Sequence, residues 1–110
     1  MAWDEGIAQQ LREALQARDD VEEKRMFGGL CFLLRGNMLC GASGWSDTMF
    51  RVGKEAESEA LELPGTRIME MGGRRMGGFI RADETALADD DTFARLIALA
   101  LAFVSALPPK

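Results

Sequence analysis

The 110-residue chain has no histidine, two cysteines, three prolines and only 7% aromatic residues. The missing histidine removes the most common general base, proton shuttle and neutral metal ligand. A Ser-His-Asp or Cys-His arrangement is therefore excluded. Cys31 and Cys40 are too few for a disulfide scaffold, and a closed zinc site needs four ligands where the sequence offers one thiolate pair. No cofactor or metal site is expected. Long apolar runs are scarce too: the longest, Leu96 to Val104, reaches only Leu107 if Ser105 is tolerated, well short of the roughly 20 residues that span a bilayer. The start, Met1-Ala2-Trp3-Asp4-Glu5, lacks a basic region followed by an apolar stretch, so no secretory signal is read. A cytoplasmic address with reduced thiols is the expectation.

What is present suits one globular domain over residues 1–110. Hydrophobic residues make up 47% and charged residues 28%, far from the composition of disorder. The formal net charge of −5 opposes phosphate backbones, which are bound through clustered Lys and Arg. Duplex DNA is not an expected ligand.

Hydrophobic spacing divides the chain into α and β segments. From Asp4 to Arg18 the positions Ile7, Leu11, Ala14 and Leu15 recur at helical spacing, and Asp4 is placed to cap the start. Val21 to Met26 followed by Gly28-Gly29 reads as a kinked strand. Leu30 to Arg35 and Met38 to Ala42 flank Gly36-Asn37, which predicts a hairpin turned at that pair. In that register Arg35 faces Met38, Leu33 faces Cys40, and the two thiols become neighbours on one face. Both runs are apolar at odd and even positions, which suggests cover on both faces.

Asp47 to Val52 is a further strand and Lys54 to Leu63 a short helix, stopped by Pro64-Gly65. Ile68 to Met71 and Phe79 to Ala82 are short strands flanking a flexible Gly72 to Gly78 turn. The last helix runs from Asp91 to Leu107, behind the acids Asp89 to Asp91. Phe93, Ile97, Ala100 and Val104 share one face, whereas Leu99 and Phe103 turn to another. Such a helix asks for cover from the first helix or from a second copy of the chain.

Few residues carry a chemical signal. The acid pairs Asp19-Asp20 and Glu22-Glu23 and the run Asp89 to Asp91 sit at helix ends and charged turns, where solvation explains them. Arg25 to Phe32 matches the RNA-recognition RNP1 pattern at its basic and aromatic positions, but Met26 stands where glycine is expected. Gly72 to Gly78 holds Arg74 and Arg75 between glycine pairs, so backbone amides and guanidinium groups there are suited to an anion. It lacks the lysine and following helix of a phosphate-binding P-loop.

The run Arg25-Met26-Phe27-Gly28-Gly29, with Phe32, Gly36 and Met38 after it, resembles the N-terminal domain of the TfoX/Sxy competence-regulator family. Phe50-Arg51-Val52, Pro64-Gly65-Thr66-Arg67 with Met69, and Met76 with Phe79 extend the likeness from about Leu11 to Leu107. The resemblance implies an α+β fold: two layers, a mainly antiparallel sheet flanked by helices, akin to secretion chaperones. It also implies a bacterial source and a non-enzymatic, regulatory domain that acts through a protein partner such as a transcription regulator. Two features depart from the pattern: Arg75 replaces a proline common before the second methionine, and Met71 stands where an aromatic is frequent. The chain also ends where longer members continue into a helical C-terminal domain. The expected contact residues are Arg74 and Arg75, with a homodimer through the last helix as a further partner. A small-molecule or nucleotide site at Gly72 to Gly78 is the alternative.

Overall fold

A computed structural model describes residues 3–26, 28–42 and 47–110. Helix α1, Glu5–Leu15, begins where Asp4 accepts hydrogen bonds from the amides of Gly6 and Ile7, which satisfies donors left unpaired in a first helical turn. It buries Ala8, Leu11 and Leu15. Strands β1 (Val21–Met26), β2 (Gly29–Leu34), β3 (Asn37–Ala42) and β4 (Thr48–Arg51) follow as a meander. Then come α2 (Glu57–Leu61), β5 (Thr66–Met71), β6 (Arg74–Ala82), α3 (Glu84–Ala88) and α4 (Asp90–Val104). The six strands form one sheet in the order β1-β2-β3-β4-β6-β5. Every neighbouring pair is antiparallel, and the α+β class expected from the sequence is what the chain adopts.

The core lies between this sheet and the helices. Phe32, Phe50, Leu34, Ile80 and Leu96 are almost wholly buried, and each such side chain contributes about 1.5–3 kcal/mol relative to exposure. Phe50 meets Phe93 of α4 edge to face, with ring centroids 6.4 Å apart, which is a favoured aromatic geometry. The outer strand β1 exposes Glu22, Glu23, Lys24 and Arg25, charges that guard a free sheet edge against foreign strands.

Several sequence expectations are corrected. Gly28-Gly29 does not kink a strand: Gly29 opens β2 and pairs with Met26, the last residue of β1, and Gly28, with φ of 75°, stands between the two strands. The β2–β3 turn sits at Arg35-Gly36, both with positive φ (51° and 87°), as the commonest two-residue hairpin turn requires. Asn37 is instead the first residue of β3 and pairs with Leu34, Leu33 with Met38, and Phe32 with Cys40 across an irregularity. Cys31 pairs with Gly41. The two thiols therefore alternate onto opposite faces, although both are buried. The irregularity between Phe32 and Leu33 separates them, while the place of the turn has tertiary support: the Asn37 side-chain amide donates to the Pro108 carbonyl and the Lys110 backbone amide to the Arg35 carbonyl, which pins the tail across the turn.

Elsewhere the helix expected from Lys54 is shortened to Glu57–Leu61. Most of Gly72 to Gly78 is strand β6, and only Gly72-Gly73 turn the chain. A separate α3 precedes α4, capped by Asp83. Helix α4 packs on β3, β4 and α3, and its outward positions Ala94, Ala98 and Ala102 are exposed. Alanine methyls need no cover, so the helix is less apolar all round than its sequence suggests.

Candidate functional site

The richest site lies where β4 ends, α2 begins and β6 crosses toward α4. After Arg51 the chain turns at Gly53, whose φ of +87° suits glycine and where a Cβ would stand 2.4 Å from the Phe103 ring. The amides of Val52 and Gly53 both donate to the Gly78 carbonyl, at 2.9 and 3.0 Å. Gly78 has the same φ, and a Cβ there would come within 3.2 Å of the Gly53 carbonyl carbon and the Lys54 nitrogen. Two glycines thus let three segments approach closely, which no larger residue would permit.

A cleft of about 680 Å³ opens beside this crossing, with Val52, Phe79, Leu99, Phe103 and Leu107 among its walls. Arg51 lines it, its guanidinium carbon 5.6 Å from the ring centroids of both Phe79 and Phe103, within reach of cation–π attraction. Lys54 and Glu55 stand at the same cleft. Most other arginines reach a carboxylate of their own chain. Among the described residues, Arg51, Lys54 and Arg74 have no ion pair within salt-bridge distance.

The two arginines singled out in the sequence lie on the arm beyond the cleft. Arg74, at the head of β6, is exposed. Arg75 pairs with Glu57 of α2, and the same carboxylate accepts the Gly78 amide at 2.7 Å. Its carboxyl is held below the usual range, first by the Gly78 hydrogen bond and then by Arg75, against the opposing effect of burial. Arg95 of α4 pairs with Glu59. Helix α2 is thereby tied to the arm on one side and to α4 on the other.

The remaining candidates are explained by the fold. Burial raises both thiols, Cys40 further through the adjacent Cys31, the reverse of what a nucleophile needs. Asp20 binds Arg18 and Arg35, Glu23 binds Arg12, and Asp89 caps α4. Of the RNP1-like aromatics, Phe32 is core, 2% exposed, so it is closed to a stacking base; Phe27 lies outside the described residues. No group of three metal-binding side chains occurs among the described residues, and no helix there is long and apolar enough to cross a membrane. The sequence reading missed Arg51, although Phe50-Arg51-Val52 and Phe79 carried the family likeness. Nothing in their spacing announces that Phe103 would join them.

Comparison with known proteins agrees with the fold. No curated protein and no solved structure matches the chain. The family described as the TfoX N-terminal domain matches residues 13–104, which is most of the sequence and includes β1 to β6 and all of α4. The chain belongs to the TfoX N-terminal domain family.

Proposed function

We propose that this chain is a non-enzymatic, cytoplasmic regulatory domain that binds a protein partner, such as a transcription regulator, through an acidic patch on that partner. The observation carrying this reading is Arg74: an exposed cation at the head of an arm whose neighbour Arg75 and whose Gly78 amide are fixed by one carboxylate, Glu57. In a chain of net charge −5, such a local cation orients an approaching acidic surface. The lack of an activated nucleophile or base among the described residues favours binding over catalysis. A second copy of the chain is a poorer partner, since α4 turns Ala94, Ala98 and Ala102 outward and these offer little apolar area.

The test is capture from bacterial extract with wild-type and Arg74→Ala/Arg75→Ala chains, followed by affinity measurement with the purified partner. The double variant is expected to bind about tenfold more weakly, as loss of about 1.4 kcal/mol implies. Its melting temperature should fall only slightly, because the Arg75 guanidinium is half exposed, where such pairs contribute about 0–1 kcal/mol, and Glu57 keeps the Gly78 amide. Unchanged affinity for the same partner refutes the assignment. A small ligand at Gly72 to Gly78 is less supported, since Gly72-Gly73 form a tight turn, but Gly77 and Gly78 line the cleft.

A further inference from the structure

We propose that the cleft between α4 and the β4–α2 turn binds a small amphipathic carboxylate, an apolar body ended by one anionic group, with Arg51 as the carboxylate anchor. This goes beyond the partner reading and concerns the cleft alone. Its volume of about 680 Å³ falls within the roughly 300–1,000 Å³ typical of small-molecule sites. Such sites are mostly apolar with a few placed polar groups. Here Val52, Phe79, Leu99, Phe103 and Leu107 supply the apolar wall, and Arg51 and Lys54 supply the charge.

The state of Arg51 argues for a carboxylate. Its guanidinium carbon lies over two rings, which stabilise the cation without using its N–H groups, and among the described residues no side-chain hydrogen bond engages them. A planar fork with free donors matches a carboxylate in bidentate fashion. The Lys54 stem lies over Gly77, where a Cβ would stand 3.0 Å from its Cε, and Lys54, which also lines the cleft, shares its charge with Glu57. Against these stands Glu55. With Lys54 shared between Glu55 and Glu57, Arg51 is the cation left to a ligand, which favours a monoanion, whereas a nucleotide's several phosphate charges would be left largely unmatched.

Decanoate titrated into the ¹⁵N-labelled full chain tests the proposal, with decanol as the neutral control. Saturable shifts should centre on the Arg51 Nε–H and the amides of Gly53, Gly78 and Ala102, and decanol should bind about tenfold more weakly, the worth of one charge-assisted pair. Arg51→Gln should lose that preference while keeping a native spectrum. Ala102→Glu, on the exposed side of α4, should weaken both ligands and leave the fold intact. Arg74→Ala/Arg75→Ala should bind decanoate like wild type, which separates this result from the partner test. The proposal is overturned by an absence of saturation at millimolar ligand, by shifts centred elsewhere, or by equal binding of decanol. It is also overturned if an acidic peptide of a captured partner moves these amides and decanoate does not.

Discussion

Replacing Gly53 by alanine probes the crossing on which the cleft depends. At φ +87° a side chain costs about 1–2 kcal/mol, because Cβ crowds the backbone in the left-handed region. The added methyl would also meet three Phe103 ring carbons at 2.4, 2.8 and 2.9 Å, closer than real Cβ contacts. The ring must move, and overpacking of this kind costs about 1–3 kcal/mol. Together these predict a loss of about 2–5 kcal/mol, or roughly 8–20 °C in melting temperature for a domain of this size. Gly72→Ala is the control: φ is +62° and nothing lies within 4 Å of the new Cβ, so only the conformational cost of about 1–2 kcal/mol applies. Urea unfolding should show a lower midpoint for Gly53→Ala at unchanged slope. Adding Phe103→Ala should relieve the clash and appear as favourable coupling in a double-mutant cycle. Equal destabilisation by Gly53→Ala and Gly72→Ala would refute the reasoning, because the contact with Phe103 would then carry no energy.

Two further outcomes follow from the titratable groups. Cys31 and Cys40, 4% and 0% exposed and both raised by burial, should label slowly with a thiol reagent in native protein and rapidly in urea; fast native labelling would contradict their burial. The Asp20 carboxyl is depressed from 3.8 to about 2, first by Arg18 and then by Arg35, against desolvation. A depressed carboxylate contributes stability that is complete above its ordinary value and lost as pH falls toward the folded value. Asp20→Asn should therefore destabilise the chain at pH 6, with the difference shrinking below about pH 4 and vanishing only as pH falls through about 2, and a constant difference across that window would rule the linkage out.

The elements legible in the sequence were those with local causes. Asp4 before an amphipathic run gave the start of α1, and the paired apolar runs around Gly36 gave the β2–β3 hairpin. Where that hairpin turns was not legible. Gly36 fits a turn with either neighbour, and the choice falls on Arg35 because the distant Pro108 and Lys110 bind Asn37 and the Arg35 carbonyl. The turn at Arg35-Gly36 by itself would leave Cys31 and Cys40 on one face, and it is the irregularity between Phe32 and Leu33, one residue out of step, that sends the thiols to opposite faces, since side chains alternate along a strand. Gly72 to Gly78 read as a loop because glycine lacks a side chain to pack. It is nevertheless strand after Gly73, since β5 pairs with Arg74 and Arg75 and, across an irregularity, with Ile80 to Ala82, while the Gly78 carbonyl takes two amides from the end of β4 and Glu57 takes the Gly78 amide. The basic pair Arg74-Arg75 was visible as a pair, whereas the different fates of its members depend on α2.

The chain has 18 acidic and 13 basic residues, so an unpaired arginine is not explained by a shortage of carboxylates. Arg25 has Trp3 as its neighbour, 5.5 Å to the ring, while Lys24 and Lys110 are exposed in solvent. Arg51 differs from all three in lining a cleft. Its surroundings are aromatic because Gly53 and Gly78 let β4, β6 and α4 converge, which brings the rings of Phe79 and Phe103 to the guanidinium. A lone guanidinium in so apolar a setting has given up part of its hydration, which is costly unless something replaces it. The two rings replace the part that covers its faces, and water or a ligand's anionic end must satisfy its N–H edge. That division of labour makes Arg51, rather than the better exposed Arg74, the cation whose removal should change the discrimination between a charged and a neutral ligand.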